Sequence, residues 1–298
     1  MEPLRKRLRR AARYPLLRAA IFLVGLLPLP LALALGAAFG RLAFALARGE
    51  RRRAIEHLAV AFPERSEAER AVMARASFEE LGRCLFEACQ AQRLDARLDR
   101  YVRWPEEEIA ALRALLAEGR GGLFVTGHVG NWELLARRIV REGFDHVVVT
   151  RESGDRRLAG MIERFRARGG VRAVGRGSGM GAMREILSAL RRGALLGLLL
   201  DQDTRVQGIQ VPFFGRLAHT PVVAEELASR TGAPIVVGFI HREPGGGHRL
   251  HTERLEGPAE GATARLTARI EAEIRGQPRD WVWMHRRWKR SAELATGR

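Results

Sequence analysis

The chain of 298 residues carries 51 Lys and Arg against 34 Asp and Glu, a formal net charge of +17, with 46% hydrophobic and 29% charged residues. That length fits one large domain or two small ones with no need of a disulfide framework, and the apolar fraction excludes intrinsic disorder. Only Lys6 and Lys289 are lysines, so nearly all the positive charge is arginine, the side chain suited to bidentate contact with phosphate and carboxylate. Two explanations stand side by side: an anionic partner (nucleic acid, an anionic membrane surface, or an acidic protein or substrate), or a codon usage that favours Arg over Lys.

In chain order, the first feature is an apolar segment, Ala19 to Gly40, without a single charge. It reaches the roughly 20 residues of a membrane span. It exceeds the h-region of a signal peptide, about 7 to 15 residues, and Arg41 and Arg48 stand where a neutral cleavage region belongs, so a retained anchor is expected. Arginines crowd both flanks, with Arg9, Arg10, Arg13 and Arg18 before it and Arg51, Arg52 and Arg53 after it, and the positive-inside rule pulls both ends to the cytoplasmic face. Pro28 and Pro30 would kink a helix there. A re-entrant or in-plane hairpin and a straight span both remain open.

Ser66-Glu67-Ala68-Glu69 is a capping-box pattern that opens a helix to about Gln90, with Val72, Met73, Phe78, Leu81 and Leu85 at helical spacing. Cys84 and Cys89 fall inside it, without a CxxC or the His neighbours of a zinc site, and read as buried thiols in a reducing compartment. Pro105 followed by Glu106, Glu107 and Glu108 opens another helix. From Gly121 onward, short apolar runs (Leu123–Thr126, Val147–Thr150, Val171–Val174, Leu195–Leu200, Ile235–Ile240) alternate with helical patterns (Asn131–Arg141, Asp155–Arg168, Met183–Arg191, Pro221–Ser229). Pro244-Gly245-Gly246-Gly247 reads as a hairpin turn adding an antiparallel strand, and a last helix runs from about Ala262 to Arg275. The expected fold is α/β, a mostly parallel sheet flanked by helices, with an N-terminal membrane-associated helical segment. The expected organisation is a basic N-terminus and membrane-anchoring helix or hairpin over 1–48, a helical region over 49–120 and an α/β domain over 121–298, with 49–298 forming one compact unit.

The chemistry concentrates where ligands bind in such sheets, beyond the carboxyl ends of the strands. In Thr126-Gly127-His128-Val129-Gly130-Asn131-Trp132-Glu133, His128 follows a strand and Glu133 lies in the first turn of the next helix. An imidazole there can act as a base near neutral pH, with a carboxylate to hold its other nitrogen. A helix-capping structural histidine is the plainer reading. The segment contains no Ser or Cys nucleophile, which favours direct transfer to an acceptor hydroxyl. Asp201, Gln202 and Asp203 follow a buried strand and are expected to line the same cleft, since buried acids need partners or solvent; a metal site is the rival reading, the weaker one for two Asp without clustered His or further acids. Val211-Pro212-Phe213-Phe214-Gly215 fits either an acyl channel or core. Arg164 and Arg166 fit oxyanion or phosphate stabilisation, or a solvated helix face. Gly175-Arg176-Gly177-Ser178-Gly179-Met180-Gly181 lacks the Lys-Ser/Thr ending of a P-loop and reads as a loop. At the C-terminus Trp281, Trp283 and Trp288 interleave with His285, Arg286, Arg287, Lys289 and Arg290, a composition suited to a membrane interface, an anionic headgroup or an acidic protein; no nucleic-acid motif accompanies it.

Taken together, Gly127-His128-Val129-Gly130-Asn131-Trp132-Glu133, then Asp201-Gln202-Asp203 with Val211-Pro212-Phe213-Phe214-Gly215, and finally Trp283-Met284-His285-Arg286-Arg287-Trp288-Lys289 make the chain resemble the bacterial lipid A biosynthesis late acyltransferases (lauroyl/myristoyl acyltransferases) of the lysophospholipid acyltransferase superfamily. The first of these motifs matches the family's His-x4-Glu. The resemblance implies an inner-membrane enzyme with its catalytic domain on the cytoplasmic face. It would move a fatty acyl chain from acyl carrier protein, or coenzyme A, to a hydroxyl of a glycolipid, either a lipid A precursor or another lipid such as a phosphatidylinositol mannoside. It also implies that His128 is the base and Glu133 its orienter, that Arg164, slightly ahead of Arg166, serves the site, and that Asp203 is the site acid of its cluster. Asn131, Trp132, Asp201, Gln202, Phe213, Phe214, His285, Arg286 and Arg287 are then candidates for substrate binding. A monomer is expected, with no metal and no cofactor beyond the thioester co-substrate.

Overall fold

The alternation beyond Gly121 folds into a sheet of continuous apolar strands, in a computed structural model that describes residues 4–150, 155–175 and 180–291. Helices α1 (Leu4–Leu26), α2 (Leu29–Leu46), α3 (Arg48–Ala61) and α4 (Glu67–Cys89) come first, followed by the short α5 (Ala91–Asp95) and α6 (Leu98–Tyr101), the edge strand β1 (Val102–Arg103) and α7 (Glu106–Leu116). Then come β2 (Gly122–Thr126), α8 (Trp132–Arg141), β3 (His146–Thr150), α9 (Arg156–Arg168), β4 (Arg172–Gly175), α10 (Met180–Arg191) and β5 (Leu195–Leu199). The chain ends with β6 (Gly208–Phe213), β7 (Arg216–Pro221), α11 (Val223–Thr231), β8 (Ile235–Arg242), β9 (His248–Arg254) and α12 (Ala262–Gly276).

Seven strands form one sheet in the order β1-β9-β8-β2-β5-β3-β4. The β8–β9 pair is antiparallel and the others are parallel. The central strands β2 and β5 are covered on both faces, which is why Leu123-Phe124-Val125 and Leu195-Leu196-Gly197-Leu198 read as unbroken apolar runs. One apolar cluster joins this sheet to the preceding helices, from Ala54, Leu58 and Phe78 to Val125, Leu196 and Trp281.

Two local expectations change. Val211 to Gly215 is the end of β6 and its turn: β6 and β7 pair as an antiparallel hairpin closed by Phe214 and Gly215, both at positive φ (52° and 72°). This is the two-residue hairpin geometry normally announced by Asn-Gly. Phe214 takes the unfavourable conformation because its ring packs among Phe62, Trp281 and Trp283, and its N–H donates to Glu271 at 2.6 Å. Pro221 closes β7, so the helix expected from that residue begins at Val223. Residues 176–179 of the expected glycine-rich loop lie outside the described residues.

The N-terminal apolar segment is broken at Pro28 into α1 and α2. Helix α2 lays Ala32, Gly36, Ala37 and Gly40 against α4. A Cβ on Gly36 would stand 2.7 Å from the Gly82 carbonyl oxygen and one on Gly40 2.1 Å from that of Phe78, so the helices approach backbone to backbone. Gln90 and Arg93 donate to the carbonyls of Val24, Gly25 and Leu27, satisfying the otherwise orphaned acceptors at the end of α1.

Helix α4 is tied to the sheet by a buried carboxylate. Glu87 accepts from Arg242 (2.7 and 2.8 Å), His248 (3.0 Å), Asn131 (2.8 Å) and the Tyr101 hydroxyl. Burial pushes its carboxyl up, but His248 and Arg242 outweigh that and hold it well below the usual range. Removing one member of such a buried ionic set strands the others without water. Glu87→Ala should therefore lower unfolding stability by about 3–5 kcal/mol, measured by denaturant titration of the detergent-solubilised protein; a loss under 1 kcal/mol would mean that the network is not needed.

Candidate active site

The register between β2 and β5 builds the site. Thr126 pairs with Leu199; His128 lies two residues beyond the first and Asp201 two beyond the second, so both leave the sheet side by side. From β2 the chain passes over to β3 and β4, returns to β5, and later adds β8 on the opposite side of β2. The crevice between β2 and β5 is thus the point where the strand order reverses, the usual ligand position of an open parallel sheet.

Asp201 is the centre of this crevice. Its Oδ1 lies 2.8 Å from His128 Nδ1, while its Oδ2 accepts from the His128 backbone N–H at 2.9 Å and from Trp281 Nε1 at 2.7 Å. A carboxylate only accepts, so Nδ1 carries a hydrogen, and the neutral ring keeps its lone pair on Nε2. The Asp201 side chain is 1% exposed and that of His128 22%. Burial pushes the Asp201 carboxyl up, but the His128 imidazole and the Trp281 donor bring it down to about 2. It therefore stays ionised at neutral pH and holds the imidazole.

The loop that presents His128 depends on Gly130. At φ 59°, a Cβ there would stand 1.9 Å from the Ile240 carbonyl oxygen. The Gly130 N–H donates to the Asp280 carbonyl at 2.8 Å, and Val129 bridges to Trp281. The backbone of the histidine loop is thereby paired with the C-terminal segment that supplies the Trp281 donor.

Several expected roles change here. Asp201, not Glu133, holds His128; Glu133 in the first turn of α8 makes a bidentate pair with Arg166, at 3.1 and 2.5 Å. Asp203, expected as the site acid, makes no bond to His128: its Oδ2 accepts from the Arg290 N–H at 2.8 Å, and it lines a neighbouring cavity with His285. Of the two arginines on α9, Arg166 reaches Glu133, whereas Arg164 points to the Tyr14 hydroxyl at 3.2 Å. Asn131 is the buried N-cap of α8: its Oδ1 accepts from the Leu134 N–H and its amide donates to Glu87, leaving little for a substrate. Phe213 and Phe214 are buried in an aromatic cluster with Trp281, Trp283 and Trp288, so they support the site from beneath and do not line an open channel. Arg287 is wholly buried over the Phe213 ring, with donors on the His219 carbonyl and Thr220 Oγ1; burial lowers it to about 10, so it remains cationic and structural.

Other candidates do border the crevice. Trp132 stands edge-on to His128 with ring centroids 4.9 Å apart. Gln202 is half-buried between the two acids. His285 accepts from the Asp203 N–H at 3.2 Å and, lowered by burial to about 4, is neutral. His285 and Arg286 line a cavity of about 490 Å³. The Asp201–His128 pairing was recoverable from the equal two-residue offset beyond two adjacent strands, once β2 and β5 are taken as neighbours.

A parallel-sheet protein with an imidazole so held, one nitrogen on a buried carboxylate and the other open to a crevice, has the apparatus of a general-base enzyme. The family described as "Bacterial lipid A biosynthesis acyltransferase" matches residues 3–290, and the chain belongs to that family; it is an acyltransferase. The lipid A biosynthesis lauroyltransferase of Escherichia coli K12 is 28% identical over 283 residues, 92% of this chain and 90% of that protein. The lipid A biosynthesis palmitoleoyltransferase of the same organism is 27% identical over 271 residues, 88% and 86%. A phosphatidylinositol mannoside acyltransferase of Mycobacterium tuberculosis is 26% identical over 181 residues, 59% of this chain and only 57% of that protein.

Asp201→Asn keeps the shape but can present an N–H to Nδ1 and so favours the wrong tautomer. We expect kcat for acyl transfer to fall at least about 100-fold, the scale of a general-base contribution, with KM for the donor within about threefold, measured by steady-state kinetics on purified protein. An unchanged kcat would remove Asp201 from the base.

Proposed function

We propose that the chain transfers a fatty acyl group from the thioester of acyl carrier protein, or of coenzyme A, to a hydroxyl of a glycolipid, a lipid A precursor being the acceptor. The observation that carries this reading is His128, with Nδ1 on Asp201 and Nε2 directed by that bond to act as base. In the step, Nε2 takes the proton of the acceptor hydroxyl as its oxygen bonds to the thioester carbonyl carbon. Collapse of the tetrahedral adduct breaks the C–S bond, and the imidazolium returns the proton to the departing thiolate. Asp201 stays ionised throughout and stabilises the imidazolium. The bidentate Glu133–Arg166 pair fixes a guanidinium on the helix that faces the start of α8. The lipid A acceptor is favoured over a phosphatidylinositol mannoside because the lipid A relatives align over 86% and 90% of their lengths and the mannoside relative over 57%.

The membrane pose follows from the N-terminal helices. Helix α2 is long and apolar enough to cross a bilayer, with 18 residues and a mean hydropathy of 1.8. Its outer face is a stripe of exposed Leu31, Leu35, Phe39, Leu42 and Leu46, continued on α1 by Phe22, Leu23 and Leu26. Its inner face, however, lies along α4, which carries Arg75, Glu79, Arg83 and Glu87, and Arg41 reaches Glu79 at 3.7 Å. A span would draw these charges into hydrocarbon at a cost of several kcal/mol each. We therefore place α1 and α2 in the plane of the cytoplasmic leaflet of the inner membrane, leucine stripe inward, as an interfacial hairpin.

Two experiments test these points. In cells carrying His128→Ala, mass spectrometry of the total glycolipids should show loss of one acyl group relative to wild type, while the protein stays in the membrane fraction; an unaltered glycolipid profile would overturn the activity. In a background without Cys84 and Cys89, Pro30→Cys should react with a membrane-impermeant maleimide only in inverted vesicles. Labelling in intact spheroplasts would mean that the hairpin crosses the bilayer.

A further inference from the structure

The cavity beside the base is strongly cationic. It has a volume of about 490 Å³, and five basic side chains line it: Arg53 from α3, Arg205 from the loop after β5, and Arg286, Lys289 and Arg290 from the C-terminal segment. Among the described residues that line it, the one carboxylate is Asp203, which the Arg290 N–H already engages at 2.8 Å, and Lys289 has an interaction of its own. Arg53 is fixed by donation to the Met284 carbonyl at 3.0 Å. The guanidinium groups of Arg205 and Arg286 are exposed and have no protein carboxylate within 4.0 Å among the described residues. The Thr204 hydroxyl, in the same wall, is buried without a hydrogen-bond partner. Guanidinium groups held in a concavity without an acid to neutralise them, as those of Arg205 and Arg286 are, raise the local concentration of anions. Guanidinium groups and a free hydroxyl donor match the oxygens of a phosphate, which can accept from several donors at once.

We propose that this cavity is a phosphate-binding subsite of the acyl-transfer site, taking the phosphate ester of one of the two substrates. The inference rests on the acyl-transfer reading for its purpose, since the loop of Thr204 and Arg205 continues directly from Asp201, and His285 in the cavity wall bonds to Asp203. A phosphate held there fixes one substrate against the base. Both substrate types carry such a group: the phosphopantetheine arm of a carrier protein or coenzyme A, and a phosphorylated glycolipid. The acceptor lipid has the stronger case. Arg53 stands on the helix that begins at Arg48, directly after the membrane helix ends at Leu46, so that wall of the cavity is next to the lipid surface.

The test is equilibrium binding to the full-length protein in neutral-detergent micelles, with dodecyl phosphate as a membrane-borne phosphate and coenzyme A as the donor arm. Arg205→Gln/Arg286→Gln removes charge without touching the two arginines that hold backbone or Asp203. Thr204→Val, isosteric, serves as the second variant. Wild type should bind dodecyl phosphate at least tenfold more tightly than the double variant and severalfold more tightly than Thr204→Val, with affinity falling as salt is raised and melting temperatures unchanged. A selective loss of coenzyme A binding instead would support the subsite and assign it to the donor. Equal binding of both probes by wild type and double variant would overturn it. Because the readout is binding, His128→Ala should retain it in full, so failure of the acyl-transfer reading would leave this result intact and the reverse.

Discussion

The in-register pairing of β2 with β5 is the constraint on which the rest depends. Two strands separated by some seventy residues of chain lie side by side with Thr126 opposite Leu199, and each releases its chain at the same level. Parallel pairing is slow to form because the loop between the strands must close first, yet once formed it leaves no freedom in where residues two positions further on emerge. His128 and Asp201 need no further search to meet. A slip of one residue would exchange the side chains of the two buried faces and put a bulkier residue where Gly197 alone fits against the His146 ring, so core packing and the placing of His128 beside Asp201 are enforced by the same register.

What the sheet brings together, the C-terminal segment holds. Trp281 donates to Asp201, and the Asp280 carbonyl pairs with Gly130. Asp280 is itself anchored through its side chain to His241 Nδ1 at 2.6 Å, whose Nε2 is bound to Glu273 at 2.5 Å. Burial lowers His241, but the two carboxylates outweigh it and raise the imidazole to about 9, so it is a cation clasped between two anions. His241, His251 and Glu273 also bring donor atoms close enough to suggest a metal. The 2.5 Å separation of Nε2 and Glu273, with Arg269 on the other carboxylate oxygen at 2.7 Å, is the geometry of a protonated ionic cluster. Trp281 in turn packs against Phe213, Phe214 and Trp283, so the donor to Asp201 is set in a buried aromatic cluster.

The fold class, the order of the main elements and the crevice were legible in the sequence, because buried parallel strands and amphipathic helices leave different periodicities. The strand from Leu195 is bounded almost as observed, and the capping box at Ser66 forms as written, with Glu69 accepting the Ser66 N–H at 2.8 Å. Partner choice was not legible. His128 has one carboxylate five residues away in sequence and another in contact through the sheet, and only topology decides between them. Asp201 and Asp203 differ by two residues, yet one bonds His128 and the other the Arg290 N–H. The β6–β7 hairpin escaped notice because Phe214 occupies a left-handed position through its packing, which no turn rule anticipates.

The arginine excess can now be divided by what surrounds each side chain. Arg137 is buried with Nη1 on both oxygens of Asp95 at 2.9 and 2.7 Å and Nη2 on the Phe165 carbonyl at 2.6 Å, Arg242 spans Glu80 and Glu87, and Arg287 serves backbone and hydroxyl acceptors in the core. These places need a planar, permanently charged donor, and a lysine could not occupy them with the same bonds. They add nothing to the attraction of anions, because their charge is spent inside the protein. Other arginines keep their charge at the surface, among them Arg48, where α2 gives way to α3, and Arg205 and Arg286, in the cavity beside His285. A net charge of +17 spread evenly would attract any polyanion. The part gathered in one concavity beside His285 can instead favour an anion at that one place, the role proposed above for a substrate phosphate.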